Sequence, residues 1–218
     1  MMRIDEVLCA LVYRRSFRER FRAGERAELG IDPADEADLT AIDLDELDRT
    51  ADVTCRALLE ASHRGVGNLR DAFPRSIRAY CTIRDETDLP FDFADSQAFA
   101  EFGRDAPGPP MEAVFGDFLE TALDAQWQPV VREERALAVL RALVVTPTPA
   151  FAIPDWVRAA PAGHYAVVRR AEAPLLVAAL NGRLVTGPVT PLIAGILEGD
   201  AVEATAVRAE LRAMGLVA

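Results

Sequence analysis

The sequence predicts an α+β fold, with an all-helical domain followed by a small domain of β-sheet and helices. Up to about residue 145, apolar residues recur at helical spacing between short connections, as in a helical bundle. At 146–154 proline becomes frequent, strand-like apolar runs begin and the acidic excess ends, since arginine and acidic residues balance between 150 and 218. We therefore expect a helical domain at 1–146 and a second domain at 154–218, joined by a linker at about 147–153.

Two helices are predicted at the N-terminus. The first, Ile4–Tyr13, carries five apolar residues on one stripe: Ile4, Val7, Leu8, Leu11 and Val12. The second is expected to begin at Ser16, because Ser16 and Glu19 have the spacing of a capping box, and it would bury Phe17 and Phe21. Acidic residues interrupt the arginines of this stretch, which favours a solvated face over a nucleic-acid patch.

The remaining helical domain is predicted from apolar spacing and breaks. Acidic residues are dense at 32–52 without an EF-hand spacing, so they are expected to form a solvated or partner-facing surface. A helix is predicted at 43–63, with His63 as a C-terminal cap rather than a catalyst. Pro74 starts or kinks a helix that runs to about residue 83, and 89–93 is predicted to be an extended connector. Helices at 96–102, 111–125 and 130–143 follow.

The second domain is predicted to have a winged-helix-like outline. Apolar runs at 165–170 and 175–180 predict antiparallel strands, and Asn181-Gly182 is a strong hairpin signal that returns the chain as a third strand at 183–186. A helix at 190–197 and a final helical pattern would pack on one face of this sheet. Domains with this arrangement bind DNA, mediate dimerisation or bind a peptide as an added strand at an exposed sheet edge.

The amino-acid composition argues against some of these functions. The net charge of −11 disfavours a duplex-binding protein, because DNA affinity depends on Lys and Arg that neutralise phosphates. The chain has no lysine, which excludes Schiff-base chemistry and a P-loop lysine. Cys9, Cys55 and Cys81 lack metal-ligand spacing and are expected to be small buried hydrophobes in a reducing compartment. Without a signal peptide or an apolar run long enough to cross a membrane, we expect a cytoplasmic protein.

No catalytic constellation is evident. His63 and His164 are the only histidines, which makes an iron site within this chain hard to build, and no hydrolase, zincin or phosphate-loop motif is present. Glu133 and Glu134 are adjacent on a helix and are expected to point different ways, so they do not form an acid/base pair. We therefore expect a non-catalytic protein with no cofactor of its own.

Two groups of segments carry a resemblance to known families. LLVAALNGRLV, PLIAGILEGD and VRAELRAMGLV resemble the recognition domains that bind ribosomally made, modified peptides, although two helices follow the sheet where three are usual. LRDAFPRSIRAY, FADSQAFAEF, MEAVFGDFLETAL and VVREERALAVLRAL resemble the helical half of the partner proteins of multinuclear non-heme iron oxygenases. The resemblance implies a hetero-oligomer in which this chain delivers a precursor peptide to an iron-containing TIM-barrel enzyme, with no role for nucleic acid or membrane.

Strand addition at the last strand is the expected mode of peptide binding. The edge at 183–186 would pair with the peptide backbone, a groove beside the last helix would take alternate side chains, and two arginines would contact an acidic leader. Proline at Val185 is expected to block this pairing. Two alternatives stay open, which are a DNA-binding winged-helix regulator and a small helical subunit of another dioxygenase, the latter suggested by LVYRRSFRERFRAG. The candidate site residues are Arg183, Leu184, Val185, Thr186, Val207, Arg208, Leu211 and Met214.

Overall fold

The computed structural model describes residues 2–61, 67–102, 107–146, 149–200 and 204–218. In these ranges it confirms the predicted α+β fold, with twelve α-helices and one four-stranded antiparallel sheet. The helices are α1 (Ile4–Tyr13), α2 (Arg15–Arg22), α3 (Glu36–Thr40), α4 (Leu44–Glu60), α5 (Leu69–Ala72), α6 (Pro74–Tyr80), α7 (Leu89–Asp95), α8 (Gln97–Glu101), α9 (Met111–Ala122), α10 (Gln128–Val145), α11 (Pro191–Glu198) and α12 (Thr205–Ala213), with a 3-10 turn at Ala125–Trp127. The strands are β1 (Arg158–Ala160), β2 (Gly163–Val168), β3 (Leu175–Leu180) and β4 (Arg183–Pro188).

The sheet is a meander in the order β1-β2-β3-β4. The Asn181-Gly182 turn is confirmed, because both residues have positive φ, 50° and 72°, as the tightest hairpin turn requires. β3 has the predicted bounds, whereas β2 begins two residues earlier than expected and β4 extends two residues further, to Pro188. β1 was missed, since Arg158–Ala160 has no apolar alternation and is held in the sheet by pairing with β2.

Helices cover both faces of the sheet, so the expectation of helices on one face is wrong. On one face, Val139, Leu140 and Leu143 of α10 share a core with Ala166 and Val177. On the other face, Tyr165 and Ala178 share a core with Leu197 of α11 and Leu211 of α12. The sheet is therefore the middle layer, and α10 belongs both to the helical bundle and to the cover of the sheet.

The stretch around the predicted linker is packed against the bundle where the structure describes it. Phe151 is buried in the core shared by α10 and the sheet, and Ala152 N–H donates to the Gly108 carbonyl at 2.9 Å. Pro147 and Thr148 lie outside the described residues. The predicted boundary thus falls between elements that pack on one another.

The bundle core is centred on an aromatic cluster. The Phe93 ring lies 4.9 Å from the ring of Phe115 and 5.5 Å from that of Phe118, between centroids, in tilted and edge-to-face geometries that aromatic pairs favour. Phe93 belongs to α7, so the prediction of an extended connector at 89–93 is wrong. Pro90 occupies the first helical turn, where its missing N–H costs nothing, and Leu89 and Phe93 are buried one turn apart.

The N-terminal helices depart from their predicted contacts in two places. α1 has the predicted bounds, but Leu8 is 43% exposed and only Val7 and Leu11 of its apolar stripe are large buried residues. The capping box at Ser16 does not form, because α2 begins at Arg15 and the Ser16 N–H and hydroxyl both donate to Asp95 of α7, at 3.0 and 2.9 Å. Ser16 therefore joins α2 to α7.

Arg18 is buried rather than solvated, which corrects the expectation of a uniformly solvated arginine face. Its Nη1 donates to the carbonyls of Leu11 and Val12, both at 2.9 Å, and its Nε donates to Asp48 at 2.9 Å. Asp48 also accepts from Arg22 at 2.7 Å. Burial raises the pKa of Asp48, but the bonds from Arg22 and Arg18 outweigh it, so the pKa of this carboxyl is held below its usual range.

Asp48→Asn is expected to make the protein less sensitive to acid. A carboxyl whose pKa is lower in the folded chain contributes stability that is present above its unfolded pKa and is lost as pH falls through the folded pKa. At neutral pH the variant should lose about 1 kcal/mol of unfolding free energy, a small value because Asp48 is partly solvated. Below about pH 3 the variant and the wild type should have nearly the same unfolding free energy. Urea unfolding at both pH values checks this, with Asp45→Asn as the control, since that exposed carboxylate lies 3.5 Å from Arg22. Equal losses at both pH values would contradict the expectation.

The cysteines divide into two kinds. Cys55 is buried, as predicted, and burial raises its pKa to about 11. Cys9 and Cys81 are exposed, so the prediction that all three are buried is wrong for these two. Cys9 follows the exposed Leu8 on α1, and Cys81 directly follows α6.

Candidate functional site

β4 forms one edge of the sheet, and no described strand pairs with its outer side. β1, the other edge, has only three residues, whereas β4 has six. An edge strand presents unpaired N–H and C=O groups that another chain can join. β4 is therefore the longer of the two edges available for strand addition.

The register shows which backbone groups of β4 face outward. Val189 N–H donates to the Pro174 carbonyl at 2.8 Å, and opposed residues in an antiparallel pair alternate between bonded and non-bonded positions. Counting along the register makes the pair of Ala178 with Val185 a bonded one, so the Val185 N–H faces β3. The N–H groups of Leu184 and Thr186 face the open side. Proline at Val185 would remove a bond between β3 and β4, so it would disturb the sheet as well as a peptide added at its edge.

Side chains of β4 alternate between the two faces. Leu184 lies opposite Ala179 and packs against the core beneath α10. Val185 lies opposite the fully buried Ala178, on the face that carries α11 and α12, yet it is 50% exposed. The two C-terminal helices thus cover the middle of the sheet and leave Val185 open to solvent.

The four predicted residues of α12 and its C-cap have different environments. Leu211 is 1% exposed and belongs to the core, so its side chain is not available at the surface. Val207 is half-buried against the same core, Arg208 is half-buried, and Met214 is 53% exposed. Only Val207, Arg208 and Met214 of this group are within reach of a ligand.

The contacts of α11 and α12 with the sheet fix the position of this surface. The Tyr165 hydroxyl donates to the Leu197 carbonyl at 2.7 Å, and burial raises the pKa of Tyr165. Ala162 N–H, in the β1–β2 turn, donates to the Gly215 carbonyl at 3.1 Å. α11 is held at its end by the first contact and α12 at its end by the second.

The sequence did not identify two apolar residues at or just after the end of β4, Leu192 and Pro188, as candidate site residues. Leu192 is the second residue of α11 and follows β4 closely in the sequence, and its side chain is 41% exposed. Pro188 ends β4 at a position where its missing N–H faces the open side, which is where an edge strand tolerates proline. Proline at an edge strand was an available signal, whereas helical spacing had predicted that Leu192 shares a buried face with Ile196, which is wrong.

Three further findings bear on function. Among the described residues, no group of three or more His, Cys, Asp or Glu side chains is placed to hold a metal ion. Within the same ranges, every helix is too short or too polar to cross a membrane. No protein-family model, curated protein or solved structure matches the chain.

Proposed function

We propose that this chain is a non-catalytic partner subunit that binds a ribosomally made precursor peptide and presents it to a multinuclear iron-dependent oxygenase. The observation that supports peptide binding is the open edge of β4, with the N–H groups of Leu184 and Thr186 facing outward beside the exposed Val185. An extended peptide would add as a fifth strand, so that its backbone supplies affinity and its alternate side chains meet Val185 and Leu192.

Charge supports an acidic segment in the peptide. Arg183 is exposed at the start of β4 and has no ion-pair partner among the described residues. A carboxylate that passes this end of the edge would gain a charge-assisted bond. Arg208, half-buried on α12, is a second contact for the same leader. The iron belongs to the partner enzyme in this proposal, and the whole assembly is a hetero-oligomer.

Thr186→Pro tests strand addition without breaking the sheet. The substitution removes an outward N–H and leaves the β3–β4 bonds in place, as Pro188 already does two residues further along. As probes, any short open reading frames found next to the gene are made as synthetic peptides. We expect Thr186→Pro to weaken the binding of such a peptide at least about tenfold, through loss of one backbone bond and of the close approach of the added strand.

A control variant and amide hydrogen exchange show whether the peptide binds at β4. Thr186→Ala keeps the N–H and should bind as the wild type does. On peptide addition, exchange should slow at Leu184 and Thr186, whereas Val185 is already bonded to β3 and should change little. Equal binding by the proline and alanine variants, or slowed exchange elsewhere only, would rule out addition at β4.

Co-purification tests the enzyme partner separately. A tagged chain expressed in its native host is expected to retain a TIM-barrel iron oxygenase. Failure to retain one, together with no calorimetric binding of the peptide, would overturn the proposed function.

A further inference from the structure

A cavity of about 230 Å³ lies between α5, α6, α9 and α10. Ala72, Pro74 and Leu137 supply apolar wall, and charged side chains of both signs complete the lining. This volume corresponds to roughly seven waters, so the cavity has room for a small organic group. It is formed by these helices and by Gly67 and Asn68, which directly precede α5, and it does not include β4.

Glu112 is the unusual member of this lining. It is the second residue of α9 and is 3% exposed, yet neither of its carboxylate oxygens has a hydrogen-bond partner among the described residues. A buried carboxylate without a donor is costly, whereas one that receives hydrogen bonds from a cation is stabilised. Both carboxylate oxygens are shielded from water, so Glu112 provides an unused acceptor just behind the cavity wall, which a ligand reaches when the side chain turns towards it.

The other charged groups of the lining are already engaged or exposed. Arg75 is held by Glu133 and Glu134, at 2.8 and 3.2 Å, and Glu134 also accepts from the Ser76 hydroxyl at 2.6 Å. Arg141 is exposed. With Asp71, Glu112 and Glu134 against Arg75 and Arg141, the lining carries one more negative than positive charge.

We infer that this cavity binds a guanidinium or primary ammonium group carried on an apolar stem, with Glu112 as the acceptor. The single excess negative charge matches a monocation, and the apolar wall matches the methylene stem. The cation comes either from a free small molecule or from an arginine or lysine side chain of a peptide. The inference is independent of strand addition at β4, because no lining residue belongs to the sheet.

Calorimetry on the full chain with four probes tests the site. The probes are n-butylguanidinium, n-butylammonium, the neutral n-butanol, and a blocked tripeptide with a central arginine. We expect one molecule of either small cation to bind per chain below about 10 mM, and n-butanol to bind at least about tenfold more weakly. Binding of the tripeptide identifies a peptide side chain as the source, and its failure alongside cation binding identifies a free molecule.

Glu112→Gln keeps the shape of the side chain and removes its charge. It should weaken cation binding between about tenfold and about a hundredfold, as expected for a lost hydrogen bond to a charged group. Asp124→Asn is the matched control, since it removes an equal charge from an exposed residue that does not line the cavity. Ala72→Leu is a second variant that fills the cavity while keeping Glu112, and it should also lose binding.

Thermal unfolding provides the readout that does not depend on calorimetry. Cation should raise the Tm of the wild type and of Asp124→Asn, but not that of Glu112→Gln or Ala72→Leu. Without cation, Glu112→Gln should unfold at the same temperature as the wild type or higher, because it removes a buried unpartnered charge. Absence of cation binding by the wild type, or equal binding by Glu112→Gln, overturns the inference.

Discussion

Gly163→Ala is expected to lower the free energy of unfolding by at least about 3 kcal/mol. Gly163 begins β2 with φ of 149°, which side chains rarely adopt. A Cβ at this position would lie 2.0 Å from the Ala179 carbonyl oxygen and 3.1 Å from the Ala179 carbonyl carbon. Both atoms are backbone of the neighbouring strand, so no side chain can turn aside to relieve the contact.

Gly187→Ala is the matched control for this substitution. Gly187 is also in the sheet, in β4, but a Cβ there meets nothing within 4 Å and its φ is not positive. This variant should therefore change stability by less than about 1 kcal/mol. Chemical denaturation followed by the fluorescence of Trp127 and Trp156 compares the two. If both variants unfold at the same denaturant concentration, the close approach of β2 and β3 at Gly163 is contradicted.

Gly163→Ala also affects the candidate site indirectly. Gly163 pairs with Leu180, which directly precedes the Asn181-Gly182 turn that sets the register of β4. Pushing β2 away from this end of β3 would disturb the turn. Peptide binding at β4 should weaken together with stability, whereas Gly187→Ala should leave the fold intact.

Elements with local signals were predicted well from the sequence. β3 and α1 have the predicted bounds, because a continuous apolar run and a helical stripe need no distant partner to be recognised. The Asn181-Gly182 turn was found for the same reason, since the positive φ values are a property of those two residues. The same turn predicted that β4 pairs with β3.

Features that depend on distant partners were not predicted. Ser16 bonds to Asp95, 79 residues away, instead of capping its own helix. Leu211 and Met214 share one helical pattern, and only the packed sheet decides that one is buried and the other exposed. Glu112 looks like an ordinary first-turn acid in sequence, because burial by α5 and α10 is a tertiary effect.

The same distinction explains the outward groups of β4. Sequence alternation places Val185 and Leu184 on opposite faces, but it does not show which N–H groups are bonded. That assignment depends on the pairing of β3 with β4, which the bond from Val189 to Pro174 fixes.

Glu134→Ala is expected to cost about 3 kcal/mol of unfolding free energy. Glu134 of α10 caps α6, accepting from the backbone N–H groups of Arg75 at 2.9 Å and Ser76 at 3.0 Å. α6 begins at Pro74 and has no side-chain cap of its own at Phe73. Removing the carboxylate leaves these amides and the fully buried Ser76 without an acceptor.

Glu133 provides the control on the neighbouring residue. The prediction that Glu133 and Glu134 point different ways is wrong, because both accept from the Arg75 side chain. Glu133 also accepts from Arg170 at 3.2 Å, which joins α10 to the end of β2 through side chains only. Glu133→Gln should therefore cost about 1 kcal/mol, as for a partly solvated ion pair.

Urea unfolding separates capping from ion pairing. If capping of α6 dominates, Glu134→Ala should lose clearly more stability than Glu133→Gln, and Ser76→Ala should lose about 1 kcal/mol because it removes the hydroxyl and keeps the amide. High salt should reduce the loss in Glu133→Gln and leave that of Glu134→Ala nearly unchanged, since buried pairs are screened much less. Equal losses in the two glutamate variants would mean that the contact shared with Arg75, and not the cap on α6, accounts for the stability that Glu134 contributes.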